Sequence, residues 1–199
     1  MKVRLHPILI PVFLFLLVSG NVSIYTLIFV SLLIHEAGHL VAAKMVGLRV
    51  RSCTIMPYGG ELTIPGRHAV RRRKRFYVAL GGPAATLFLL ILAMVIPFSA
   101  TDLLIRIQLI LLAVNLLPFL PLDGGQALSA FIEKKGKEYE ARLAMIVHSM
   151  IFYSIVIITL SFSLPQTIPY IVLASFLLIQ NISAFRYRKY EKALFNLKK

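Results

Sequence analysis

The sequence holds a single cysteine, Cys53, in 199 residues, so no disulfide can form within the chain and the redox compartment stays open. A small buried apolar role is the ordinary use of such a lone thiol. Charge is scarce as well. Only 15% of residues are Asp, Glu, Lys or Arg, against about 25% in a soluble domain. The shortage is matched by 58% hydrophobic residues and a mean hydropathy of +0.81. A soluble core of this size could not hide that much apolar surface, which points to a polytopic membrane protein. No internal repeat or low-complexity linker is visible, and residues 1–199 read as one membrane domain.

Acidic charge is the scarcest of all: 8 Asp and Glu against 22 Lys and Arg, for a net charge of +14. In a membrane protein this excess belongs in loops facing the anionic headgroups of the bilayer. A nucleic-acid partner is the other use of a basic chain. The apolar runs already account for the class, and no nucleic acid is expected.

Six apolar runs are candidate spans: residues 7–18, 22–45, 76–98, 103–117, 143–164 and 168–185. A full crossing needs about 20 apolar residues, so the first and fourth are short. The expected fold is all-α, a polytopic membrane protein of about six transmembrane helices. The first run, with Lys2 and Arg4 before it and Val18-Ser19-Gly20 after it, also fits a signal peptide. Every basic residue except Arg106 lies in the N-terminus, the second loop, the fourth loop or the tail. The positive-inside rule then sets both termini in the cytosol. The localisation expected is multi-pass, in a bacterial cell membrane.

The second run contains His35-Glu36-Ala37-Gly38-His39. Four residues apart on a helix, His35 and His39 share one face and can share a metal. Glu36 lies about 100° round the helix, able to reach a water at the metal without being a ligand. This is the His-Glu-x-x-His zinc arrangement. Ionisable groups inside a spanning helix cost about 2.5–3.5 kcal/mol each on insertion scales, so three together need a compensating role. Packing of satisfied polar residues between helices is the plainer alternative.

Catalytic zinc ordinarily takes three protein ligands and leaves a position for water. Asp123 is the candidate third. It closes the segment running from Asn115-Leu116-Leu117-Pro118 to Pro121-Leu122-Asp123-Gly124-Gly125, and two prolines break the helix before it. Broken backbone at membrane depth is tolerated only in protein or along a wet cavity. Read alone, Asp123-Gly124 could equally be a turn with Asp123 capping the next helix.

These residues carry a resemblance. The chain resembles the site-2 proteases, the intramembrane zinc metalloproteases of peptidase family M50, and within them the branch of stage IV sporulation protein FB. The motif around His35, the Asn115 to Gly125 segment, Pro57-Tyr58-Gly59-Gly60 and Gly81-Gly82-Pro83 all match its pattern. The resemblance implies Zn2+ held by His35, His39 and Asp123, Glu36 as catalytic base, and Asn115 helping to hold substrate. It implies cleavage of a membrane-tethered protein such as a sporulation pro-sigma factor, with membrane inhibitor or regulator proteins as further partners. No CBS or PDZ domain is visible in the sequence, which departs from relatives that carry one.

An intact helical substrate hides its carbonyls, so it must unwind near the cut. The stretch after the zinc helix reads as two extended runs about a turn at Tyr58-Gly59-Gly60. Such a hairpin could offer substrate an edge strand, with Gly59 and Gly60 as substrate-binding positions; a plain surface loop is the other reading. Arg71-Arg72-Arg73-Lys74-Arg75 reads as an orientation signal at the headgroups, or as a dock for an acidic part of the substrate. Gly81-Gly82-Pro83 suits close helix packing, and His148 suits an interhelical hydrogen bond. His6 and His68 stand among basic loop residues and read as exposed.

Two other functions compete. A transporter also uses intramembrane His, Glu and Asp beside broken helices, yet needs no base next to a histidine pair. A non-catalytic membrane adaptor would have no use for Glu36.

Overall fold

The computed structural model describes residues 2–5, 20, 22–56, 59–63, 70–96, 99–133, 137–188 and 190. Among these are six helices: α1 (Val22–Met45), α2 (Arg72–Val95), α3 (Thr101–Asn115), α4 (Asp123–Ile132), α5 (Glu138–Ser161) and α6 (Ile168–Arg186). Three short strands join them: β1 (Lys2–Leu5), β2 (Ser52–Met56) and β3 (Gly59–Thr63).

Of the six expected spans, four are found among the described residues as helices long and apolar enough to cross a membrane: Val22–Met45, Arg72–Val95, Tyr139–Ser161 and Ile168–Arg186. The run at 7–18 lies outside the described residues. The run at 103–117 is α3, whose 15 residues rise only about 22 Å, short of the roughly 30 Å hydrocarbon layer. Pro118 explains the early stop. Its ring disfavours the α region at residue 117 and clashes with a carbonyl one turn back. The last backbone bond of that helix is donated by Leu116 N–H to Leu112 O at 3.0 Å.

The chain forms two compact units. One comprises Met1–Arg67 and Tyr77–Leu116, the other His68–Phe76 and Leu117–Lys199.

In the first unit, α1 buries Ser31, His35, His39 and Ala43, a stripe at four-residue spacing along one face. The helix ends in a Schellman motif. Leu48 N–H donates to Ala43 O, Gly47 N–H donates to Lys44 O, both at 2.9 Å, and Gly47 takes φ 71° at the position that favours glycine. The backbones of α1 and α2 meet at glycines. A Cβ on Gly38 would stand 2.3 Å from Gly81 O, and one on Gly81 would stand 2.6 Å from both Gly38 O and Ala42 Cβ. The close packing expected of Gly81 is therefore real, and it uses Gly38 of the zinc motif as its partner. From α3, Gln108 is fully buried. Its Nε2 donates to Ser31 Oγ at 2.6 Å, and Ser31 donates in turn to Leu27 O at 2.7 Å.

The strands form one sheet in the order β1-β2-β3. β1 runs parallel to β2, with Val3 opposite Cys53. β2 and β3 run antiparallel, with Ile55 opposite Gly60 and Met56 opposite Gly59. The turn expected at Tyr58-Gly59-Gly60 is therefore corrected for its glycines: Gly59 and Gly60 open β3. With no side chain at either glycine, the alternation of apolar and polar residues that would mark a strand is missing there. The burial expected of Cys53, and the exposure expected of His6 and His68, fall outside what is described.

The second unit has its core at Leu120, Met145 and Ile146, with Leu128, Met150, Ala184 and Phe185 packed round it. Phe119 stacks on Phe152 at 3.6 Å between centroids. His148 is corrected from the expected interhelical hydrogen bond. It is exposed and stacks on Phe119 at 5.2 Å. The basic run is also more than a headgroup signal. Arg75 pairs with the buried carboxylate of Glu133, and Arg72 Nη1 donates to the Glu133 carbonyl at 2.8 Å. A cation there also suits the C-terminal end of α4.

Two outcomes follow from the glycine contact and the buried amide. Gly81→Ala should cost about 1–3 kcal/mol through overpacking, read as a lower melting temperature in detergent; an unchanged value would rule out the backbone contact. Gln108→Leu should be neutral or stabilising, because Gln108 Oε1 is buried without a partner and Ser31 keeps its bond to Leu27.

Candidate metal centre

The two imidazoles are fixed by their Nδ1 atoms. His35 Nδ1 lies 2.8 Å from Thr86 Oγ1, and Thr86 gives its own hydroxyl proton to Gly82 O at 3.2 Å. The bond anchors the His35 ring through Nδ1. His39 Nδ1 lies 2.7 Å from the Val78 carbonyl, which can only accept, so His39 donates there. Gly82 N–H approaches the same Nδ1 from 3.2 Å; the shorter carbonyl contact decides the tautomer.

On the other side of each ring the two Nε2 atoms stand 3.2 Å apart. Tetrahedral zinc with Zn–N bonds of 2.0–2.1 Å sets its nitrogen ligands about 3.3 Å apart. The rings meet nearly edge to face, at 82° between planes, so the approach is not ring stacking. Gly82 keeps the place clear: a Cβ there would stand 2.3 Å from His39 Nε2 and 2.5 Å from His35 Nε2.

Asp123 is buried. It is the first residue of α4, and Leu122 holds the cap position. The alternative reading of Asp123 as the capping residue is corrected by this: α3 stops at Asn115, and Asp123 lies inside the first turn of the next helix. His35, His39 and Asp123 form a group able to hold a metal ion, each offering one ligand atom, all within 4.8 Å of one another. Two neutral nitrogens and one carboxylate are a donor set that suits catalytic zinc.

Glu36 is half-buried on α1 beside the pair. Asn115 is half-buried at the end of α3, where its Nδ2 donates to Leu111 O at 2.9 Å. Gly59 and Gly60 lie in β3. Sequence reasoning missed Thr86, Val78 and Gly82 as parts of the centre. Gly82 was legible as a small residue, and Thr86 carried a signal as a hydroxyl inside a spanning helix. Val78 acts through its backbone and carried none.

Comparison with known proteins points to a family of metalloproteases. The model of peptidase family M50 matches residues 23–102 and 98–158. The chain is 27% identical over 205 residues to stage IV sporulation protein FB of Bacillus subtilis, covering 100% of this chain and 71% of that protein. It is 26% identical over 121 residues to a zinc metalloprotease of Methanocaldococcus jannaschii, covering 56% of this chain and 35% of that relative. The fold matches the solved site-2 protease of Methanocaldococcus jannaschii with a TM-score of 0.68 at 23% identity, over 91% of this chain and 89% of that one. With most of its length matched by the family model and a zinc-type donor set at its centre, the chain belongs to peptidase family M50.

Proposed function

We propose that this zinc metalloprotease is an intramembrane endopeptidase that cuts a membrane-tethered protein near the cytosolic face, with zinc held by His35, His39 and Asp123. The single observation that supports the ligand assignment is the approach of two imidazoles and one carboxylate, all buried, with a ligand atom of each within 4.8 Å of the others. The transporter and the adaptor have no need of that donor set, and family membership sets both aside.

Bound zinc supplies Lewis-acid activation of the attacking water and of the scissile carbonyl. The remaining work falls to the chain. Thr86 and the Val78 carbonyl anchor the two rings through Nδ1, which makes Nε2 the ligand atom of each. Glu36 takes the proton of the attacking water and returns it to the departing amine. Asn115 Nδ2 spends one hydrogen on Leu111 O, and its second N–H is the group that would hold substrate backbone.

The substrate must arrive unwound. β3 is an edge strand of the sheet, and its first residues, Gly59 and Gly60, present backbone without side chains. An extended substrate segment adding to that edge gains main-chain hydrogen bonds in place of its lost helix. A sporulation pro-sigma factor is the specific substrate that the family resemblance implies, and a relative named as a sporulation protein supports that setting. The excess of 22 basic over 8 acidic residues supports contact with anionic headgroups and cytosolic termini in a bacterial membrane. Membrane inhibitor or regulator proteins are proposed partners on the same resemblance.

Co-expression with a tethered pro-sigma substrate tests the assignment of the base. Glu36→Gln should keep zinc at parental stoichiometry and abolish cleavage; retained cleavage would remove Glu36 from the mechanism. Thr86→Val takes away the partner of His35 Nδ1. It should weaken zinc binding by about 10–100-fold, measured by competition with a chromophoric chelator, and unchanged affinity would refute the anchoring role of Thr86.

A further inference from the structure

Residues 116–122 separate α3 from α4 and are not helical. The backbone of Leu120 is buried there, in a part of the chain rich in apolar side chains. Each of its two polar groups is met by a side chain from a different helix. Leu120 N–H donates to Ser149 Oγ of α5 at 2.8 Å. Leu120 O accepts from Asn181 Nδ2 of α6 at 2.6 Å. The next carbonyl, of Pro121, accepts from Gln126 Nε2 of α4 at 2.8 Å.

Both clamping side chains are aimed in advance. Ser149 gives its hydroxyl proton to Met145 O, one turn back, at 2.7 Å, which turns a lone pair toward Leu120. Asn181 gives one Nδ2 hydrogen to Leu177 O, also one turn back, at 2.9 Å, and the other to Leu120. Ser149 is 0% exposed and Asn181 2% exposed, so water is no substitute for either bond. A buried peptide group that loses its partner bears the full desolvation penalty, and the segment must then shift to find another.

We propose that Ser149 and Asn181 are positioning residues for the metal centre: by holding both polar groups of Leu120, three residues before Asp123, they fix where α4 begins and where its carboxylate stands. The proposal rests on the assignment of Asp123 as a zinc ligand. Asn181 lies beyond the part of the chain matched by the family model, which ends at residue 158.

The test uses the full chain purified in detergent, with three readouts: zinc affinity by chelator competition, the visible absorption spectrum of the cobalt-substituted protein, and melting temperature. Ser149→Ala and Asn181→Leu should each weaken zinc binding by about tenfold or more, in the range for residues that orient ligands, and should alter the cobalt spectrum. Ser149→Thr keeps the hydroxyl in place and should stay within about twofold of the parent. A melting temperature that falls while affinity and spectrum stay parental would overturn the proposal, because the bonds would then be structural only. Should either variant not fold, Gln126→Leu tests the same brace through Pro121, and parental affinity there overturns it equally. Asp123→Ala separates the two claims. If it too keeps zinc at parental affinity, the ligand assignment has failed; if it alone loses zinc, only the clamp has.

Discussion

A polar group inside a bilayer must find its partner within the protein, since lipid offers none. This constraint organises the molecule from its backbone outward. Helices solve it for most residues by construction. Among the described groups that helices do not satisfy, the imidazoles of α1 and the open backbone of Leu120 are met by hydrogen bonds to a specific neighbour. Gln108 Nε2 is satisfied as well, while Gln108 Oε1, Tyr153 Oη and Arg75 Nε are buried without a partner. The imidazoles are the instructive case. A partner at each Nδ1 fixes the ring and turns the two Nε2 atoms toward each other at 3.2 Å, so the requirement of the membrane and the requirement of a metal site are served by the same two bonds.

Small residues make this possible at close range. Gly38 and Gly81 let two helix backbones touch, which brings the carbonyl of Val78 and the hydroxyl of Thr86 within reach of rings on the neighbouring helix. Gly82 then leaves empty the volume that a side chain would take from the ring nitrogens. Gly81-Gly82-Pro83 thus does two jobs, one of packing and one of clearance. Association of membrane helices relies on such contact because apolar surface alone gives no preference for protein over lipid.

How legible this was in the sequence depends on whether the chemistry sits in a side chain or in the backbone. His35, Glu36, His39 and Asp123 were legible because ionisable residues stand out within apolar runs. The long helices were legible by hydropathy, with α3 overcounted because an apolar run says nothing of where proline will stop it. β3 was placed late because its first two residues are glycines, which carry no periodic signal. The carbonyl of Val78 and the peptide of Leu120 leave no trace in residue identity at all. Ser149 and Asn181 did leave one, as polar residues within apolar helices. Their partners lie 29 and 61 positions away in the chain, and no local pattern links such positions.

The same distinction bears on why a membrane protease tolerates a broken helix beside its candidate metal centre. A continuous helix would satisfy its own backbone but could only offer side chains at helical spacing. Breaking it at Pro118 lets a carboxylate enter at the start of a new helix, at the cost of freeing peptide groups. Those groups must then be satisfied from other helices, and each bond that does so also removes a degree of freedom from the segment. A break that is fully satisfied is therefore a rigid one. The cost of placing open backbone at membrane depth and the rigidity needed of a metal ligand have the same remedy, which is why polar residues on α5 and α6, remote in sequence from the zinc motif, belong in any account of it.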